Sequence, residues 1–189
     1  VDLSFYKTSE VEEWLYDLYK ANGIYHACDL DIDHIASIFN AVIVESKNCR
    51  SQVIFDDEFC MILLGEHLDN KTRREHFFHE LCHPLMHVGN QNHLPRGLVD
   101  LQEIQAAQFQ LYSSIPVYMI EELVEEVNTW SQFEHLLSEE FQLPLHLVKK
   151  RLEQIKNRVY DGFISGGWSH RTLSKPIFQY DWRFRYFYQ

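Results

Sequence analysis

Disulfide spacing is the first thing this 189-residue chain lacks. Its four cysteines (Cys28, Cys49, Cys60, Cys82) form no CxxC pair and no regular pattern. In a chain this long they read as reduced thiols of a cytoplasmic protein, not as a disulfide frame. No apolar run approaches 18 residues, which excludes a membrane-spanning helix. The segment Val1-Asp2-Leu3-Ser4 has neither a charged n-region nor an apolar h-region, so no secretion signal is expected there. Positive charge is also short. Seventeen Lys and Arg face 28 Asp and Glu, a formal charge of −11. That balance argues against a general nucleic-acid binder or a binder of anionic membranes, and suits basic partners. Glycine is scarce, and no repeat or low-complexity tract is visible. What remains is an ordinary globular composition, 46% hydrophobic and 24% charged. It is long enough for one domain, or a domain with a sizeable extension, to bury a core unaided.

The coarse reading is α+β. Ser9-Glu10-Val11-Glu12 fits a capping box, followed by Val11, Trp14, Leu15, Leu18 and Tyr19 at helical spacing and Gly23 as a stop. Asp31 or Asp33 can cap a second helix. Ala41–Val44 reads as a strand. Gln52–Phe55 and Phe59–Leu64 read as a hairpin around Asp56-Asp57-Glu58, giving a small antiparallel sheet. Thr72-Arg73-Arg74-Glu75 is a second capping box, and Gly89 sits where a terminating glycine belongs. Beyond a polar loop at Gln91–Gly97, a helix is expected from Val99–Asp100 to about Ser113. Pro116 suits the first turn of another, Trp130–Phe141 forms the next, and Pro144 opens the last. From Phe178 every second residue is aromatic (Phe178, Tyr180, Trp182, Phe184, Tyr186, Tyr188), the period of a strand with one buried face.

The second capped helix holds the chemistry. His79-Glu80-Leu81-Cys82-His83 is a His-Glu-x-x-His pattern. Histidines four apart share a helix face, so both imidazoles can reach one small cation. Glu80 lies about 100° round the axis. There it is placed to act as a base rather than a ligand. The pattern points to a zinc-dependent hydrolase, with a peptidase as the leading reading. Two ligands do not complete a site. His87 is eight residues from His79, about 12 Å of helix rise, too far to share the ion. The longer metzincin pattern asks for glycine and histidine where Met86 and Gly89 stand. Downstream, Glu103 is the best-placed acid. Asp100 competes, although it better suits the helix N-cap. His76, His87 and His93 read as ordinary polar or supporting residues. Cys82, near the ligand face, could be a thiol sensor or a ligand, but a lone cysteine is more often a small buried hydrophobe. Tyr112 and His87 are candidates to stabilise an oxyanion. Pro84 removes a backbone donor and crowds the Glu80 carbonyl, so a kink is expected after His83.

Residues 77–87, Phe-Phe-His-Glu-Leu-Cys-His-Pro-Leu-Met-His, followed by Glu103-Ile104-Gln105-Ala106-Ala107-Gln108-Phe109 and Pro116, resemble the ImmA/IrrE metallopeptidases. The resemblance covers about residues 30–116. It implies a zincin-like (gluzincin) core, zinc on His79, His83 and Glu103, and Glu80 as base. Cys82 stands where that family usually has glycine, and Pro84, Gln110 and Ser113-Ser114-Ile115 also depart from its pattern. None of these removes a ligand. The resemblance further implies a site-specific protease that cuts a helix-turn-helix repressor of a phage or mobile element, an anti-repressor. The expected organisation is a metallopeptidase core over 1–115, a mostly helical extension over 116–160 with helix-turn-helix-like packing, and an aromatic β tail over 161–189. Two rivals are a repressor-binding antagonist that keeps zinc for structure, and a transcription regulator. For the latter, Leu136–Phe141 and Leu145–Ile155 would mimic a helix-turn-helix carrying Lys149-Lys150-Arg151. Residues 116–159 hold eight acids against five bases, which weighs against direct DNA binding.

Overall fold

A computed structural model of the chain describes residues 3–47, 50–56, 58–87, 94–123 and 129–167. It is α+β, with seven α-helices and one small sheet among those residues. Helix α1 (Glu10–Ala21) starts at the expected capping box, with Ser9 and Glu12 exchanging bonds. Helix α2 (Ile32–Ile38) is capped by Asp31, whose carboxylate accepts from the His34 amide at 2.8 Å.

Strands β1 (Ala41–Ser46), β2 (Gln52–Phe55) and β3 (Cys60–Gly65) follow. The sheet is not purely antiparallel. Its order is β1-β3-β2. β2 and β3 form the expected hairpin, but β1 pairs in parallel with β3, Ala41 opposite Cys60 and Ser46 opposite Gly65. The chain crosses from β1 to the far side before the hairpin returns β3 between the two. Alternation in sequence reports which face a residue occupies, not which strand lies beside it. Ala41, Ile62 and Leu64 enter the core from one face, whereas Val42 and Ile54 point outward.

Helix α3 (Asn70–Met86) begins two residues ahead of Thr72. Asp69 is its cap. The Asp69 carboxylate accepts from the Thr72 amide at 3.0 Å and from the Thr72 hydroxyl at 2.8 Å. The helix ends at Met86, ahead of Gly89, which with Val88 and His93 lies outside the described residues. Pro84 does not stop it, because the His87 amide still donates to the His83 carbonyl at 3.0 Å. Phe77, Phe78, Leu81 and Cys82 form its buried side.

Helix α4 (Arg96–Ser114) starts earlier than expected, after Pro95. Asp100 is therefore inside the helix, not its cap. Helix α4 runs antiparallel to α3: Glu103 meets His79 and His83, while Gln110 donates to the Glu75 carbonyl at 2.6 Å. Short α5 (Val117–Glu121), α6 (Trp130–Glu140) and α7 (Leu145–Gly167) complete the described chain. The tail boundary expected at 161 falls inside α7, and the aromatic alternation at 178–188 lies outside the described residues.

One apolar cluster runs from Leu15 of α1 to Ile155 of α7. Buried polar groups join these elements as well. The Arg74 guanidinium donates to the carbonyls of Leu30 and Phe141, linking α3 to the segment before α2 and to the end of α6. Arg151 is wholly buried and pairs with Glu12 at 2.7 Å, while donating to the Ile115 carbonyl at 3.0 Å. Arg158 also pairs with Glu12, and Tyr6 donates to Glu12 at 2.5 Å. Burial pushes the Glu12 carboxyl up. Arg151, with hydrogen bonds from Tyr6 and Ser9, outweighs it and holds the group below the usual carboxylate range.

Candidate metal centre

Helix α3 presents His79 and His83 one turn apart, their ring centroids 5.4 Å from each other. Helix α4 brings Glu103 across to both. His79 Nε2 is 3.2 Å from one carboxylate oxygen, and His83 Nε2 is 3.8 Å from the other. One donor atom from each of the three residues falls within a 4.8 Å cluster. Ligands at about 2.0–2.2 Å on a tetrahedral ion stand roughly 3.4 Å apart, so this spacing needs little adjustment to hold a metal. Two imidazoles and a carboxylate also suit a borderline-soft divalent cation.

The surroundings favour that chemistry. Burial, then the neighbouring His87, pushes His83 down to about 4, so it is neutral, the form that ligates. Burial, then the charge of Glu103, pushes the Glu80 carboxyl up to about 7, against a hydrogen bond from the Val53 backbone amide. That amide belongs to β2, an outer strand of the sheet. The base position thus lies beside a sheet edge.

The other sequence candidates go elsewhere. His76 is bonded through Nδ1 to the Ser51 hydroxyl at 2.6 Å. Asp100 is exposed on α4 and is not in the cluster. Cys82 is buried, with its Sγ 3.5 Å from Met86 Sδ, and burial pushes its thiol well up, the state of an inert core cysteine rather than a ligand or sensor. Tyr112 is nine residues beyond Glu103, about 13 Å along α4. Its hydroxyl accepts from Arg158 and from Gln154. It cannot serve an oxyanion at this site. His87 cannot either, since both of its ring nitrogens are engaged, one by His83 at 2.9 Å and the other by Gln105 at 3.1 Å. Gln105 carried no sequence signal of its own beyond its position two residues past Glu103. The basic triplet at 149–151 is not a continuous basic face, because Arg151 turns inward to Glu12.

Comparison with known proteins identifies the family. The family model described as peptidase M78, IrrE N-terminal-like domain, matches residues 47–153, more than half of the chain. That span contains β2, β3, α3 and α4 with the whole cluster. The phage-like element PBSX protein XkdA of Bacillus subtilis (strain 168) is 29% identical over 151 residues, covering 79% of this chain and 75% of that protein. The uncharacterized protein YqaB of the same strain is 24% identical over 115 residues, covering 61% of this chain and 66% of its own. The motif on α3, the acid on α4 and the matched span together make this chain a member of the ImmA/IrrE family, the metallopeptidases with an IrrE N-terminal-like domain.

Proposed function

We propose that this chain is a zinc-dependent metalloendopeptidase that cuts a helix-turn-helix repressor of a phage or mobile element. The observation that carries the reading is the convergence of His79, His83 and Glu103 within 4.8 Å, with Glu80 on the same helix. In this reading the three cluster residues hold the metal, and the core around them is zincin-like. A bound Zn²⁺ would supply Lewis acidity, acidifying water and polarising a peptide carbonyl. Glu80 takes the proton of the attacking water and returns it to the departing amine. An extended substrate segment lies along β2, whose Val53 amide already faces Glu80. That arrangement requires a flexible stretch of the target protein.

Two facts support the partner. XkdA is by its name a phage-like element protein. The formal charge of −11 suits a basic DNA-binding target. No helix among the described residues is long and apolar enough to cross a membrane. The division into a core over 1–115, a helical extension from 116 and a terminal tail stays a proposal; α7, the last helix of that extension, packs against α1 through Arg151.

The test mixes zinc-loaded protein with a repressor encoded beside it, using wild type and Glu80→Gln, and reads fragments by mass spectrometry. One defined cut, lost in Glu80→Gln, is expected. An intact repressor with zinc-occupied wild type refutes proteolysis. Derepression by Glu80→Gln equal to wild type would instead make the protein a sequestering antagonist.

A further inference from the structure

His87 has no place in the ligand set, yet both of its ring nitrogens are occupied. Its Nδ1 stands 2.9 Å from His83 Nδ1, and its Nε2 stands 3.1 Å from Gln105 Oε1. His83 and His87 are both buried, so water competes poorly for these contacts. Glu103 and Gln105 flank the buried Ala106 on α4, about 60° to one side and 100° to the other. The same stretch of α4 therefore touches the metal cluster with one side chain and its support with another.

With both rings neutral and the Gln105 amide oxygen facing His87, the contacts set the protons along this chain. A neutral imidazole has one donor nitrogen and one acceptor nitrogen. Two facing Nδ1 atoms must be one of each. The amide oxygen of Gln105 only accepts, so His87 Nε2 carries its proton and His87 Nδ1 accepts. His83 Nδ1 must then donate, and the lone pair of His83 falls on Nε2. That is the nitrogen turned toward Glu103, 3.8 Å away. Were the amide NH₂ of Gln105 to face His87 instead, each proton would move to the opposite nitrogen. His83 Nε2 would carry hydrogen and could not ligate.

We infer that Gln105 is a positioning residue which, acting through His87, sets the tautomer of His83 and so its readiness to hold the metal. The consequence for zinc rests on the proposed ligand set; the tautomer itself does not. Supporting partners of this kind, typically carboxylates or backbone carbonyls, orient metal-binding histidines and tune affinity. Here a second histidine and a neutral amide do that work.

Long-range ¹H–¹⁵N NMR of the metal-free wild type reads which ring nitrogen carries hydrogen. The expected result is Nδ1–H on His83 and Nε2–H on His87. Nε2–H on His83 overturns the inference. Gln105→Glu retains an obligate acceptor and should keep both signals and the zinc affinity. Gln105→Leu removes the acceptor. Once its circular dichroism matches wild type, it should show a mixed His83 tautomer and about 10–100-fold weaker zinc binding against a chromophoric chelator. Wild-type signals and affinity in Gln105→Leu would contradict the relay. If Gln105→Leu does not fold, the wild-type spectrum and Gln105→Glu still decide. Zinc binding absent from every variant, wild type included, would sink the ligand set, while the NMR result would still judge the relay.

Discussion

Arg151→Met asks how firmly α7 is held to the rest of the molecule. Arg151 is fully buried, and it bridges α1 to the end of α4 through Glu12 and the Ile115 carbonyl. Methionine fills much of the same space without the charge. Removing one partner of a buried ion pair leaves the other charge stranded, at about 3–5 kcal/mol. Arg158 still reaches Glu12, so the low end applies, about 3 kcal/mol. For a chain of this length that lowers Tm by roughly 6–12 °C. Acid sharpens the test. The Glu12 carboxyl is held below its ordinary value in the folded state. Its contribution is therefore full above the unfolded carboxyl value of about 4.3 and is lost as pH falls through the lower folded value. The gap between wild type and Arg151→Met, measured by scanning calorimetry, should be widest near neutrality and shrink below about pH 4. A Tm within a degree of wild type at pH 7, or a gap that ignores acid, would refute the reasoning.

Other variants probe the remaining links. Phe78→Ala empties a fully buried site on α3 that packs edge-on against Phe77; urea unfolding should show a loss of about 3–5 kcal/mol. Tyr19→Phe removes the hydroxyl that donates to the Ser113 carbonyl at 2.9 Å, and should cost about 1–2 kcal/mol in the same assay with zinc affinity unchanged. Glu80→Gln should bind zinc as wild type does yet lower the cleavage rate by about 10²–10⁴, the usual contribution of a general base. Equal rates would remove Glu80 from the chemistry.

Much of this was legible from local signals. The Ser9–Glu12 box, the hairpin from Gln52 and the helix at Trp130 are short-range patterns whose causes lie within a few residues. The His79–His83 pair was legible for the same reason, since helix periodicity alone puts both on one side. Glu103 was reachable because it sits on the next helix, and α3 and α4 pack antiparallel. What sequence missed is what depends on distant partners. The parallel pairing of β1 with β3 needs a crossover that alternation does not encode. Asp69 outcompeted Thr72 as a cap because it lies three residues ahead and can accept from both the Thr72 amide and its hydroxyl. Arg151 read as one of three surface bases, and only the fold shows it meeting Glu12, 139 residues away. Gln105 is similar, because its meaning lies in His87.

The central claim is that α3 and α4 together hold one metal ion. Zinc content per chain, measured after dialysis for wild type and Glu103→Ala, tests it most directly. One zinc per wild-type chain is expected, with little or none in Glu103→Ala at equal folded concentration. Equal zinc in the two proteins would contradict it and move the third ligand away from Glu103.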